Sequence, residues 1–163
     1  MASGNTLMSF QPAAAQFPAT NYATFNTRNT HLLLEFDTTT QEACFFRGIL
    51  PRNYAGGGIT VYLHWAAASA TSGTIGWDVS FERIGAAQQD IDSDGFATAQ
   101  TVTAATVDGT SGNVSITNVA VTDGANIDSI AVGESFRIRI RRDVANDSAA
   151  GDAQLLGVEL KET

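Results

Sequence analysis

Three aspartates at alternate positions, in the segment DIDSDG, have the spacing of the first half of a calcium-binding loop. Asp90, Asp92 and Asp94 stand where an EF-hand loop has its first carboxylates, and Gly95 stands at its sharp turn. Thr101 occupies the place of the bidentate glutamate that closes such a loop, and no helix flanks the segment. The aspartates are therefore an incomplete cation-site candidate, and the alternative is a solvated acidic turn between strands.

The other residues that could do chemistry form no catalytic pattern. His31 and His64 are far apart in sequence and lack zinc-binding spacing. Cys44 is the single cysteine, and its apolar neighbours in ACFFRGI indicate a buried thiol. The sequence has no G-x-S-x-G motif, and AGGGIT lacks the lysine of a phosphate loop. We therefore predict no enzyme, no cofactor and no metal. A hydrolase with a spatial triad remains the alternative, because a triad leaves no fixed spacing in the sequence.

The segment SFRIRIRRD (135–143) alternates arginines with apolar residues. Its basic residues are Arg137, Arg139, Arg141 and Arg142. On a strand, the first three share one face, and like charges in a row repel one another unless acids lie opposite. Asp78 and Glu82, or Glu159 and Glu162, supply such acids. The arginines therefore either form cross-strand pairs or bridge subunits with bidentate geometry. Nucleic-acid binding ranks third, because the formal net charge is −8.

The composition is that of one β-rich domain. The chain has 163 residues, of which 44% are hydrophobic and only 16% are charged. This length suits a single domain with its own core. The N-terminus lacks the basic and apolar regions of a secretory signal, and no run approaches the ~20 apolar residues of a membrane span. We therefore expect neither nucleic acid nor membrane as a partner.

From residue 31 onward, short apolar or alternating runs are separated by turn sequences. The predicted strands are 31–37, 43–49, 59–66, 75–83, 101–107, 113–121, 135–143 and 153–161. Only 122–134 has helical character. About eight strands and hardly any helix predict an all-β protein, a jelly-roll-like antiparallel β-sandwich with an extended N-terminal arm.

Two of these runs carry the tryptophans. The runs 59–66 and 75–83 place Trp65 and Trp77 on their apolar faces, and we predict that they form an antiparallel hairpin that buries both rings. The alternation slips within 113–121, which predicts a bulge or an edge strand.

The N-terminal segment differs from the rest of the chain. Residues 1–27 contain no charged side chain and show neither a strand nor a helix period. Their aromatic residues are Phe10, Phe17, Tyr22 and Phe25. We therefore divide the chain into an extended arm (1–29) and a β-sandwich domain (30–163). We predict that the aromatic side chains of the arm contact a partner surface, either on the same domain or on a neighbouring subunit.

Three segments of the sequence resemble small structural proteins encoded by tailed bacteriophages. They are FFRGILPRNYAGGGITVYLHWAAASATSGTIGWDVSFERI (45–84), SFRIRIRRD (135–143) and GDAQLLGVELKE (151–162). The resemblance covers residues 31–162 and implies a β-sandwich component of the virion without catalytic residues. A capsid cement or decoration protein fits best, because such a protein needs a rigid body and an adhesive extension.

The resemblance implies a homotrimer that binds the major capsid protein or other virion proteins at capsomer junctions and stabilises the shell. Its location would be the virion, assembled in the cytoplasm of the bacterial host. Two alternatives remain: a tail-associated fibre or adsorption component, and a carbohydrate-binding module for host attachment. In the second alternative Tyr54 and Tyr62 are the exposed aromatic candidates.

Overall fold

The computed structural model describes residues 4–87 and 90–163, apart from the side chain of Thr103. Residues 1–3 of the predicted arm lie outside the described residues. In this part of the chain there are ten strands: β1 (Thr6–Phe10), β2 (Thr24–Arg28), β3 (His31–Phe36), β4 (Ala43–Ile49), β5 (Ile59–Ala67), β6 (Thr74–Ile84), β7 (Gln100–Thr106), β8 (Ser115–Val121), β9 (Ser135–Arg142) and β10 (Ala153–Glu162). Short 3₁₀ helices lie at Pro12–Ala14, Ala125–Ile127 and Val144–Asn146.

The strands form two sheets, and all their pairings are antiparallel. Sheet A has the order β2-β3-β10-β5-β8, and β1 also pairs with β10. Sheet B has the order β4-β9-β6-β7. The apolar faces of the two sheets meet in one core. The predicted all-β, jelly-roll-like sandwich is confirmed.

The eight predicted strands are present with nearly the predicted bounds, and 113–121 contains the edge strand β8. The predicted helical piece, 122–134, contains a single 3₁₀ turn at Ala125–Ile127. Gly133 ends this piece with a φ of 81°, and its N–H donates to the carbonyl of Leu50. A glycine suits this position because side chains rarely tolerate that backbone conformation.

The hairpin predicted for the tryptophan-bearing runs is wrong. β5 belongs to sheet A and β6 belongs to sheet B, so the chain crosses between the sheets after residue 67. Trp65 and Trp77 are both fully buried, as predicted, and their rings approach across the core with centroids 6.5 Å apart. Alternation reports which face of a strand is buried. It does not report the strand's neighbour, and that is why the hairpin prediction failed.

The segment that the sequence separated as an arm contributes strands to the sandwich. β1 pairs with the C-terminal half of β10, while β2 pairs with β3. Between them, Gln16 and Tyr22 make single bridges to Phe45 and Ala43 of β4. The segment therefore runs from sheet A to the edge of sheet B and back, and it covers edges that would otherwise be unpaired. Such switching every few residues leaves no period in the sequence.

The core is predominantly apolar. Cys44 is fully buried there, as predicted, and burial raises the pKa of its thiol. Phe36 packs edge-on against Trp77 with centroids 5.0 Å apart. No helix among the described residues has the length and apolar character needed to cross a bilayer.

Candidate functional site

A groove crosses the outer face of sheet A. It consists of two adjoining depressions with volumes of about 580 and 440 Å³, which share Val114 and Leu156 as lining residues. His64 of β5 lines the first depression, and His31 of β3 lines the second. The fold thus brings the two histidines, distant in sequence, to one surface. We call this surface the sheet A groove.

Arg28 organises one end of the sheet A groove. Its guanidinium donates to the side-chain oxygen of Gln154 at 3.0 Å, to the carbonyl of Ala67 at 3.0 Å and to the hydroxyl of Ser111 at 3.1 Å. This close approach needs Gly112, because a Cβ at that position would lie 2.7 Å from the guanidinium. The arginine is therefore fixed in one place, and the Gln154 side chain is held against it. Preorganised polar groups of this kind lose little conformational entropy when a ligand binds.

The opposite end of the groove is bordered by β1 and β10. Thr6 donates a hydrogen bond to the carboxylate of Glu159, and both residues line the first depression. Tyr62 is the register partner of Glu159 on β5 and shares its face of the sheet. The tyrosine is partly exposed, so an aromatic ring stands beside the groove.

Tyr54, the second aromatic candidate from the sequence, is not at the surface. Its side chain is buried, its hydroxyl donates to Asp123 at 2.7 Å, and the N–H of Gly58 donates to the same hydroxyl. Burial and the hydrogen bond to Asp123 raise the pKa of Tyr54. The residue therefore fixes a loop and presents no ring for stacking.

The outer face of sheet B carries Arg137, Arg139 and Arg141, a row that we call the arginine stripe. Arg141 faces Asp78 across the ladder and donates to it at 2.8–3.1 Å, while Arg137 faces Glu82 at 2.5 Å. The cross-strand pairs expected for Asp78 and Glu82 are thus present within one chain. Glu159 and Glu162, the other predicted partners, belong to sheet A and do not take part.

Arg142 is not a surface residue. It follows Arg141 directly, so strand alternation turns it to the inner face, where its side chain is fully buried. It pairs with Asp147 at 2.7 Å and donates to the carbonyls of Phe36 at 3.1 Å and Gly151 at 2.9 Å. The prediction that it contributes to a subunit interface is therefore corrected: Arg142 is a structural residue of the core.

The aspartates of the predicted cation loop form a simple turn. The carbonyl of Asp90 accepts the N–H groups of Ser93 and Asp94, and the carboxylate of Asp90 accepts the N–H of Asp92. Within residues 4–87 and 90–163 no group of three or more histidine, cysteine, aspartate or glutamate side chains is placed to hold a metal ion. The geometry fits the alternative reading of an acidic turn.

The aromatic residues of the predicted arm divide into two kinds. Phe10 is buried and stacks on Phe46 with centroids 5.2 Å apart, so it belongs to the core and not to a partner surface. Phe17 contacts Phe25 edge-on at 5.3 Å and Tyr22 at 6.2 Å. The side chains of Tyr22 and Phe25 are 47% and 50% exposed. We call Phe17, Tyr22 and Phe25 the aromatic cluster.

Comparisons with known proteins give the fold but no family. No protein-family model and no curated protein matches the chain. Among solved structures, the CBM22-2 xylan-binding domain of Xyn10C from Paenibacillus barcinonensis has a TM-score of 0.57 and 10% identity, over 96% of this chain and 99% of that one. The CBM35 of Abf62 from Cellvibrio japonicus has a TM-score of 0.53 and 11% identity, over 94% and 91%. The chain shares the sandwich fold of these carbohydrate-binding modules.

Sequence reasoning missed the sheet A groove. The polar face of β5, with Tyr62 and His64, was visible as alternation in the sequence. What could not be seen was that β10 separates β5 from β3 and so places Gln154 and Leu156 between the two histidines. The groove is a product of strand order, which a single sequence does not encode locally.

Proposed function

We propose that this protein is a non-catalytic carbohydrate-binding domain that attaches to a polysaccharide through the sheet A groove. The observation that carries the proposal is the groove itself. It is an open depression on a sheet face, and it is lined by both apolar and polar residues. Such a combination is typical of ligand sites, where apolar contacts provide affinity and a few polar groups fix orientation.

The lining residues fit the chemistry of a sugar chain. Leu156 and Val114 are apolar residues that line both depressions, and the C–H face of a sugar ring can pack against them. His31 at one end and His64 at the other are hydrogen-bonding groups for sugar hydroxyls. Two linked depressions also fit an elongated ligand better than a single small molecule.

The structural neighbours support the same class of ligand. The Paenibacillus domain named above is a xylan-binding domain with the same sandwich fold. A further neighbour, the CBM22-1-GH10 modules of Clostridium thermocellum Xyn10B, forms a complex with xylohexaose; its TM-score is 0.53 at 10% identity, over 99% of this chain and 28% of that one. Xylan is therefore the first polysaccharide to test.

The test is isothermal titration of the protein with xylohexaose, after a screen of immobilised xylan, glucan, mannan and bacterial surface polysaccharides. We expect saturable binding to at least one of them. Tyr62→Ala and His64→Ala should each weaken that binding about tenfold, the effect of losing roughly one ring contact or hydrogen bond. Arg47→Ala, an exposed change on sheet B, is the matched control and should bind normally. If no polysaccharide in the screen is retained, the proposal fails.

We also propose a second candidate function, that of a virion cement or decoration protein, which is favoured by the aromatic cluster. Tyr22 and Phe25 expose about half of their side chains beside Phe17, on the segment that links the two sheets. Exposed aromatic side chains that lie together are enriched in protein interfaces. The cluster would bind a neighbouring subunit or the shell, and the protein would act as a homotrimer on the virion.

Deleting the N-terminal segment would not test this second candidate, because β1 and β2 are strands of the sandwich. The double change Tyr22→Ser, Phe25→Ser removes the cluster without removing a strand. We expect it to abolish binding to expanded empty capsids of a tailed bacteriophage and to convert a trimer into monomers in light scattering. Ile116→Ser, an exposed apolar residue on β8, is the control. A wild-type protein that is monomeric and does not bind capsids would exclude this function.

A further inference from the structure

Arg139 is the unpaired member of the arginine stripe. Its neighbours on the same face, Arg137 and Arg141, each have a carboxylate directly opposite on β6. The residue opposite Arg139 on β6 is Ser80. Among the residues that the structure describes, no carboxylate oxygen lies within ion-pair distance of the Arg139 guanidinium. The three arginines of β9 therefore face two carboxylates on β6, and Arg139 has no carboxylate opposite it.

Two polar groups at this position have no hydrogen-bond partner among residues 4–87 and 90–163. The side chain of Ser80 is fully buried, and its hydroxyl is unpaired. The Nε–H of Arg139 is also buried and unpaired. A buried donor without an acceptor destabilises the protein, and a charged donor does so more strongly. Two such groups, on residues that face each other across one ladder, mark a place where a ligand would supply the missing acceptor.

The surroundings of Arg139 reduce its contact with water. The ring of Phe96 lies over the guanidinium, 4.9 Å from its carbon to the ring centroid, and Phe45 is its register partner on β4. Burial, together with repulsion from Arg141, lowers the pKa of Arg139. In a site of this kind an anion interacts more strongly with the arginine than it would in bulk water, because screening is weaker.

We infer that Arg139 and Ser80 form a binding site for a single carboxylate group on the outer face of sheet B. A carboxylate matches the planar fork of a guanidinium, which can donate two parallel hydrogen bonds to it. It can also accept a hydrogen bond from the Ser80 hydroxyl. The ligand supplies the carboxylate that Arg139 lacks on β6. This site lies on the sheet opposite the groove and does not depend on the proposed sugar binding.

The test follows the side-chain Nε–Hε signals of ¹⁵N-labelled protein by NMR during titration with sodium acetate at constant ionic strength. Arg139→Lys removes one signal and so assigns it. We expect that signal to shift saturably with a dissociation constant in the millimolar range, while the signals of Arg137 and Arg141 shift much less. Ser80→Ala should weaken acetate binding about fivefold, as expected for roughly one hydrogen bond. Ser9→Ala on sheet A is the control and should change nothing.

Two further titrations identify the source of the carboxylate. D-glucuronate represents a sugar acid, and the α-methylamide of N-acetylglutamate, whose one carboxylate is that of the side chain, represents a protein. Tighter binding of either one supports the site and names its ligand class. Methyl glucoside, which has no charge, should not shift the signal. The inference is overturned if acetate leaves the Arg139 signal unchanged, or if inorganic phosphate at the same ionic strength shifts it equally. Tyr62→Ala should leave acetate binding intact, so failure here and failure of the groove are distinguishable.

Discussion

On sheet B, Asp78 and Glu82 are only 4% and 3% exposed although they belong to the outward face, because arginines cover them from the adjacent strand. On sheet A, the outward residues His31 and His64 line an open groove. On both faces, outward polar side chains alternate along the strands with inward apolar side chains of the core. On sheet B, Arg137 and Arg141 bind Glu82 and Asp78 of the same sheet, whereas on sheet A the two histidines line an open groove.

This difference shows that a dense row of charges need not be a recognition surface. The stripe has the higher charge, yet Arg137 and Arg141 are occupied by partners in the same chain. The groove has fewer charges, and its fixed arginine, Arg28, is used to hold Gln154 in place. Substitutions on sheet B should therefore change stability, and substitutions on the sheet A groove should change binding.

The largest effect on the free energy of unfolding is expected for a substitution of Arg142. Arg142→Leu leaves Asp147, whose side chain is 4% exposed, as a buried charge without its partner. Removing one partner of a buried pair typically costs about 3–5 kcal/mol. Urea unfolding followed by the fluorescence of the buried tryptophans measures this. Arg47→Leu, at an exposed position, should change the unfolding free energy by less than about 0.5 kcal/mol. Equal losses for the two variants would contradict the assignment of Arg142 as a structural residue of the core.

A smaller loss of stability is expected for a substitution of Glu82. Glu82→Ala removes the acceptor for Arg137, whose side chain remains 30% exposed and can be hydrated. We expect a loss of about 2 kcal/mol in unfolding free energy, the range for a charge-assisted hydrogen bond. The double variant with Arg137→Ala should recover part of this loss. A double-mutant cycle that gives no coupling energy between Glu82 and Arg137 would mean that the pair does not stabilise the fold.

The Arg83–Glu134 pair gives sheet B a pH dependence. Hydrogen bonds from Arg83 and from the N–H of Ala131 lower the pKa of Glu134. A lowered folded-state pKa means that the stabilisation is present above the ordinary pKa of glutamate and is lost as the pH falls through the lowered value. Glu134→Gln should therefore reduce stability by about 1 kcal/mol near pH 7 and make little difference near pH 2. A loss that is the same at both pH values would contradict this account.

The smallest effect on stability is expected in the groove region. Tyr62→Ala shortens a partly exposed side chain on the outer face of sheet A, so the unfolding free energy should fall by less than about 1 kcal/mol. The same substitution is expected to weaken sugar binding. If Tyr62→Ala instead destabilises the protein as much as Glu82→Ala, the contrast between the two faces is lost.

Most of the fold could be predicted from the sequence because the buried faces of β5, β6 and β9 leave clear alternation. The strands β1 and β2 could not, since they lie at sheet edges in a segment that switches between sheets. Edge strands bury fewer side chains, and so their pattern is weaker.

The functional sites depend on strand order and register, which alternation along a single strand does not reveal. The pairing of Asp78 with Arg141 could be anticipated, because both residues stand on the outward faces of regular strands. The sheet A groove could not, because it requires β3, β10 and β5 to lie side by side, and these come from distant parts of the chain. The unpaired state of Arg139 likewise appears only once the register places Ser80 opposite it.

The position of β10 has a consequence for synthesis. This strand pairs with β5 along one edge and with both β3 and β1 along the other, yet it follows all three in the chain. A ribosome must therefore finish residues 153–162 before sheet A can close. Until then β1, β3 and β5 each lack the strand with which they pair. Folding dominated by such distant contacts is slow, on the order of milliseconds to seconds. The nascent chain is thus exposed to misassociation until β10 has been made.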